Sequence, residues 1–244
     1  MIALMTDAMP SLFEHDYRAL VIGSGGAIGS AFVGALQEDP RCLHVEVVSR
    51  SHGAGFDLLD AGGLAAQVTS SQAGGPYHFI VDATGALTID GVGPEKSLAA
   101  VRPEVLARSF EINAIGPLMV LRHFAPLLAP GPSIYAKLSA RVGSISDNQK
   151  GGWYGYRAAK AALNMLLQTA AIELQRKNAD LRVVALQPGT VRSTLSQPFS
   201  AGVAHLLEPR ESVDGMLAAL KGLQGSQQRR GAQFVDYQGK EIPW

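Results

Sequence analysis

The sequence predicts an α/β domain built on a doubly wound parallel sheet with helices on both faces. Three observations carry that expectation. Short β-rich segments alternate with helical stretches along the 244 residues. The β-rich segments are continuous apolar runs rather than polar–apolar alternations, which is how strands read when both faces of a sheet are covered. A glycine cluster sits between the first such run and the helix after it. The expected sheet has about seven strands in one domain, a usual size for a chain of this length.

Arg18 to Ile22 reads as the first buried strand, and Ala27 to Gln37 as the first helix. His44 to Val48 is a β-branched second strand. Asp60 is placed to cap a small alanine-rich helix that reaches about Ser71. Tyr77 to Val81 is the third strand. Pro103 to Leu128 is a long, mostly apolar helical region that Pro117 bends or divides. Ser133 to Leu138 is a strand, Trp153 to Lys177 a long helix, and Leu181 to Leu186 a further strand. Glu211 to Leu223 is helical, and Gln233 to Asp236 is a last short strand. Residues 1–17 read as an N-terminal extension and 18–244 as a single domain. Ser193 to Pro209 is the longest stretch without a clear period, and such a segment is a candidate lid.

Composition narrows the function classes. Net charge is zero, so no basic footprint for nucleic acid or an anionic membrane is visible. Cys42 is the only cysteine, which rules out an internal disulfide and suits a reducing, cytoplasmic setting. The six histidines show no metal-ligand spacing, so metal-free catalysis is expected. The first fifteen residues lack the basic start and apolar run of a secretory signal. Ala19 to Leu36 is free of charge for 18 residues and contains Gly25-x-x-x-Gly29. Five glycines in that stretch make a poor helix interior and argue against a membrane span.

Two sites of chemistry stand out. Gly23-Ser24-Gly25-Gly26-Ala27-Ile28-Gly29 lies between strand and helix. Glycines there permit a tight turn and close approach of a diphosphate to a helix N-terminus. Beyond the second strand, Ser49-Arg50-Ser51 carries no acid where a ribose 2′-hydroxyl of NAD would want one. Arg50, with Ser49 or Ser51, suits the 2′-phosphate of NADP instead. The second site is Tyr156 with Lys160, four residues apart and so on one helix face. A fixed ammonium there is expected to lower the phenol pKa and make it a proton donor or acceptor near neutral pH.

The ordered set resembles the short-chain dehydrogenase/reductase family. It comprises the glycine loop, Asp57-Leu58, Asp82-Ala83-Thr84-Gly85, Asn113, a serine-bearing strand end, Tyr156-x-x-x-Lys160 and Pro188-Gly189. The resemblance runs from about Arg18 to the C-terminus and implies a Rossmann fold. Three segments are more narrowly similar to C-factor and sniffer-type carbonyl reductases. They are Ser139-Ala140-Arg141-Val142-Gly143-Ser144-Ile145-Ser146, Gly151-Gly152-Trp153-Tyr154-Gly155-Tyr156-Arg157 and Gly239-Lys240-Glu241-Ile242-Pro243-Trp244.

The resemblance implies roles. Tyr156 is the general acid that protonates a carbonyl oxygen as hydride arrives from NADPH. Lys160 binds the nicotinamide ribose, and Asn113 holds a water in a relay towards Lys160. Asp57 and Leu58 lie against the adenine. Ala83, Thr84 and Gly85 line the cofactor. Pro188, Gly189, Thr190 and Val191 cover the nicotinamide. Ser144, Trp153 and the Ser193 to Pro209 segment are expected to line the substrate pocket, with a packing role for Trp153 an equal reading. A homodimer or homotetramer is expected, with the helices near 103–128 and 153–177 at the interface.

Three departures from the family pattern matter. Ala27 replaces a glycine of the loop, and Asp82-Ala83-Thr84-Gly85 replaces Asn-Asn-Ala-Gly. Ala140 occupies the position of the catalytic serine, three residues before Gly143. Ser139 and Ser144 flank it, and Ser139 is the favoured substitute because its strand holds it rigidly. The expectation is thus an NADP(H)-dependent oxidoreductase acting on a small carbonyl or alcohol. The alternative is an NADP(H)-binding sensor or signalling protein with low turnover, which Ala140 favours and the set Asn113, Tyr156 and Lys160 opposes.

Overall fold

The structure is a computed structural model, and it describes residues 11–50, 56–194, 196–197, 205–226 and 229–244. Six parallel strands form one sheet among these residues, against about seven expected. They are β1 (Tyr17–Ile22), β2 (Cys42–Val48), β3 (Phe79–Asp82), β4 (Ser133–Leu138), β5 (Leu181–Gln187) and β6 (Gln233–Asp236). The spatial order is β2-β1-β3-β4-β5-β6. Strand order reverses between β1 and β3, and a parallel sheet opens a ligand crevice at that point, beyond the carboxyl ends of its strands.

The helices are α1 (Ala27–Glu38), α2 (Ala61–Ser71), α3 (Pro103–Phe110), α4 (Gly116–Phe124), α5 (Tyr154–Leu174) and α6 (Pro209–Gln224). Successive strand residues face opposite ways, so each strand feeds two cores. Ala19, Val21, Phe79, Val81, Ile134 and Ala136 join Phe32, Leu36, Val213 and Met216 on the α1 and α6 side. Leu20, Ile22, Ile80, Tyr135 and Val183 join Leu64, Val120, Leu163 and Leu167 on the other. No helix among the described residues is long and apolar enough to cross a membrane.

Local chemistry explains the boundaries. Asp60 caps α2 by accepting a bond from Gly62 N at 3.0 Å, as its position predicts. Tyr77 lies outside β3 and forms an isolated bridge with Leu128 instead. The helical region from Pro103 is divided into α3, a π-helical turn over Glu111–Ile115, and α4. Pro117 stands in the first turn of α4 and has no N–H to give to the carbonyl of Asn113, four residues back. Of residues 1–17, the first ten lie outside the described residues. Leu12 and Phe13 are buried, and Tyr17 Oη donates to Asp39 Oδ2 at 2.7 Å.

Candidate active site

The glycine loop is built for close approach. Gly23 has φ +85°, and a Cβ there would lie 3.1 Å from Ala83 C and Thr84 N. A Cβ on Gly29 would lie 2.1 Å from Gly23 O, so only glycine lets α1 start against the loop. Gly26 caps α1 without a side-chain bond, and the first turn holds no acidic residue. Its free amides and positive dipole end are open to an anion. Ala27 fills the position of the missing glycine at the first residue of α1, where alanine is a good helix former. This cradle fits a dinucleotide diphosphate.

Ser49 is buried beyond β2, and Arg50 beside it is exposed. Ser51 lies outside the described residues. Asp57 is exposed and accepts a bond from Leu59 N, while Leu58 is partly buried against Gly116. Ala83, Thr84 and Gly85 follow β3. Pro188, Gly189, Thr190 and Val191 follow β5. Pro188 O accepts a bond from Ser212 Oγ at 2.6 Å, and Gly189 has φ +78°. Leu207 N donates to Thr190 O at 2.9 Å, which brings Leu207 back beside the end of β5. A cavity of about 390 Å³ is lined by Arg192, Ser193, Thr194, Ser196, Gln197 and Leu206. None of Tyr156, Lys160 or Asn113 lines it, so it is not the space in front of the phenol.

Gly85 brings the catalytic candidates together. A Cβ on it would lie 3.2 Å from Asn113 Oδ1 and 3.6 Å from Lys160 Nζ. Asn113 is fully buried in the π-helical turn, and π-turns recur at functional sites. Its side chain exchanges two bonds with Ala86, donating to Ala86 O at 2.9 Å and accepting from Ala86 N at 3.0 Å. Lys160 Nζ donates to Leu138 O at 3.1 Å and stands 5.6 Å from the centre of the Tyr156 ring. Gly143 packs against the same turn of α5, where a Cβ would meet Lys160 Cβ at 2.8 Å.

The electrostatics differ from the expectation that the ammonium lowers the phenol pKa. Burial raises Tyr156 to about 12. Burial first, and the charge of Lys137 second, lower Lys160 to about 7, with Asp82 opposing. Lys160 is therefore only partly a cation near neutral pH, and loss of hydration dominates at the phenol.

Ser139 is also redirected. Its hydroxyl is buried and donates to Asn164 Oδ1 at 2.6 Å, inside α5. Ser144 Oγ accepts from Asp147 N at 3.1 Å, and no bond donated by its own proton is formed among the described residues. Trp153 packs edge-on to Tyr156, with ring centres 6.2 Å apart at 72°.

Sequence reasoning missed two charged groups. Lys137 is a lysine near the C-terminal end of β4, fully buried with Asp82 beneath the site. A charge inside an otherwise apolar strand was its signal. Glu95 is a buried carboxylate from the loop between β3 and α3, and its side chain accepts a bond from Gly155 N at 3.1 Å. It carried no signal, because a lone loop glutamate reads as a solvated surface charge.

Comparisons with known proteins agree with this fold. A family model described as Enoyl-(Acyl carrier protein) reductase matches residues 60–213. The C-signal protein of Myxococcus xanthus is 38% identical over 140 residues, which cover 57% of this chain and 78% of that one. Carbonyl reductase Sniffer of D. melanogaster has the same fold, with a TM-score of 0.77 at 21% identity over 94% of this chain and 100% of that one. The NADPH-bound carbonyl reductase from chicken fatty liver is equally similar in fold, with a TM-score of 0.77 at 21% identity over 94% and 95% of the two chains.

Proposed function

The chain belongs to the short-chain dehydrogenase/reductase family of oxidoreductases, and we propose that it is an NADP(H)-dependent reductase of a small carbonyl compound. One observation carries this reading. Gly85 leaves a gap flanked by Asn113 Oδ1 and Lys160 Nζ, and Lys160 reaches towards Tyr156. The gap adjoins the Gly23 turn, which touches Ala83 and Thr84. The glycine cradle and the open start of α1 would hold the diphosphate, and Arg50 with Ser49 would hold a 2′-phosphate. NADPH, when bound there, supplies the hydride.

The residues of the chain do the rest. As hydride reaches the carbonyl carbon, the carbonyl π electrons move to oxygen, and Tyr156 Oη gives that oxygen its proton. A phenol raised to about 12 keeps its proton at neutral pH and is ready as the acid. Lys160 in its charged form stabilises the phenolate left behind and binds ribose hydroxyls. Pro117 cannot give an N–H to the carbonyl of Asn113, and Asn113 is read as the holder of a relay water. Ser144 takes over the role first expected of Ser139, since its hydroxyl proton is free to point at the substrate oxygen. Ser139 instead steadies Asn164, one turn beyond Lys160.

The exposed Ile115, Tyr154 and Met165 support a homo-oligomer joined through these helices. The lone Cys42 suits the cytoplasm. A low-turnover sensor is the second reading, favoured by Ala140 and by the committed proton of Ser139. The deciding experiment follows NADPH oxidation over a panel of aldehydes and ketones. Turnover well above the rate without carbonyl supports the reductase, and tight NADPH binding with no turnover supports the sensor.

A further inference from the structure

Glu95 is buried, and among the described residues its carboxylate has no ion-pair partner. Burying a carboxylate is costly unless something replaces its hydration. Its side-chain bond is to Gly155 N, in the first turn of α5, where the amides lack intrahelical partners and the helix dipole is positive. The backbone carbonyl of Glu95 accepts a second bond, from Trp153 N at 2.5 Å. One residue thus holds two successive points of the entry to the helix that carries Tyr156 and Lys160.

The entry sequence is shaped around Glu95. Gly151, Gly152 and Trp153 are consecutive left-handed residues, at φ +63°, +65° and +55°. Trp153 is not glycine, and a non-glycine in that region carries about 1–3 kcal/mol of strain that its surroundings must offset. A Cβ on Gly152 would sit 3.5 Å from Glu95 O. A Cβ on Gly155 would sit 2.9 Å from Glu95 Oε1 and 3.0 Å from Leu106 Cδ2. The glycine at 155 makes room for the carboxylate, and the strained Trp153 turns its indole to the edge of the Tyr156 ring.

We propose that Glu95 is the positioning residue of the site: it clasps the start of α5, holds Trp153 in its left-handed conformation, and so aims the Trp153–Tyr156 pair at the substrate carbonyl. The clasp rests on the reductase reading for its purpose, although not for its existence. A shift of about 1 Å at a reacting group lowers turnover by about 10²-fold, so a loosened α5 entry would be felt in the chemical step. The cofactor cradle at α1 would not be disturbed.

Three variants test it. Glu95→Ala removes the side-chain acceptor of Gly155 N and leaves the backbone bond to Trp153 N. Glu95→Asp keeps the charge but withdraws it by one methylene, and serves if the alanine variant does not fold. Glu95→Gln keeps an oxygen for Gly155 N. Hydrogen exchange over residues 151–157 is the readout that needs no turnover. The clasp predicts exchange at Gly155 faster by about ten-fold or more in the Ala and Asp variants, and near wild type in the Gln variant. It also predicts kcat down by about 10–100-fold in the Ala and Asp variants, with NADPH affinity unchanged and Gln restoring most of the rate. Unchanged exchange in the Ala and Asp variants, or a Gln variant as impaired as Ala, overturns the clasp. If the wild type reduces no carbonyl but exchange follows the predicted pattern, the clasp stands and the reductase reading falls.

Discussion

Lys137 Nζ lies 2.9 Å from Asp82 Oδ1, and solvent reaches neither side chain. The same ammonium donates to Thr84 O at 2.6 Å and to Thr84 Oγ1 at 3.0 Å. Asp82 Oδ1 in turn accepts from Thr84 N and Thr84 Oγ1. The pair therefore pins the turn that leads to Gly85, the residue against which Asn113 and Lys160 meet. Burial lowers the pKa of Lys137, and the Asp82 carboxylate works against that shift.

Breaking one half of this pair leaves a charge without its counter-ion in the core. Lys137→Met should destabilise the protein by about 3–5 kcal/mol in urea unfolding. Asp82→Asn combined with Lys137→Met should recover much of that loss, because no lone carboxylate remains. A single variant as stable as the wild type would show that the pair does not hold the turn.

Lys160 sets a pH dependence. With its pKa lowered to about 7, it is mostly neutral at pH 8 and mostly charged at pH 6. Ribose hydroxyls and nearby phosphate charge favour the ammonium, so NADPH binding should raise that pKa. Proton uptake on binding is therefore expected at pH 8 and should fade at pH 6, where the proton is already present. Calorimetry in buffers of different ionisation enthalpy measures it, and Lys160→Met should abolish it. Equal uptake in that variant would assign the proton to another group.

Arg50 is exposed beside the buried Ser49, at the tip of β2. A charge-assisted hydrogen bond contributes about 1.5–3 kcal/mol, so Arg50→Ala should weaken NADPH by tens-fold and leave NADH nearly unchanged. Fluorescence titration of both cofactors measures this. Equal wild-type affinity for the two would remove Arg50 from cofactor choice.

The two serines make opposite predictions. Ser144→Ala should lower single-turnover reduction by about 10²–10³-fold, as loss of a donor to the reacting oxygen does. Ser139→Ala should act more weakly, through Asn164. A large loss confined to Ser139→Ala would return the donor role to that residue.

Much of the fold was legible because buried parallel strands read as apolar runs, as Arg18–Ile22 and Leu181–Leu186 do. The split of the region after Pro103 was legible only at Pro117. The π-helical turn at Asn113 depends on how α3 and α4 pack on α5, which no local pattern encodes. Tyr156 and Lys160 stood out through their spacing, and Asn113 only through the family resemblance. Their electrostatics were not legible, because Lys160 on α5 is shifted first by burial and then by the charge of Lys137 on β4. The direction of the Ser139 hydroxyl was not legible either: it follows β4 and turns to Asn164 on α5. Glu95 was hidden because its partner, Gly155, lies 60 residues away in sequence.

The central claim is that Tyr156 donates the proton that completes carbonyl reduction, and Tyr156→Phe tests it most directly. The substitution removes only the hydroxyl and keeps the ring that meets Trp153 edge-on. Stopped-flow measurement of NADPH oxidation, paired with NADPH titration, should give turnover lower by about 10²–10⁴-fold and a cofactor affinity close to wild type. A Tyr156→Phe protein that reduces the same carbonyl at near the wild-type rate would contradict the account.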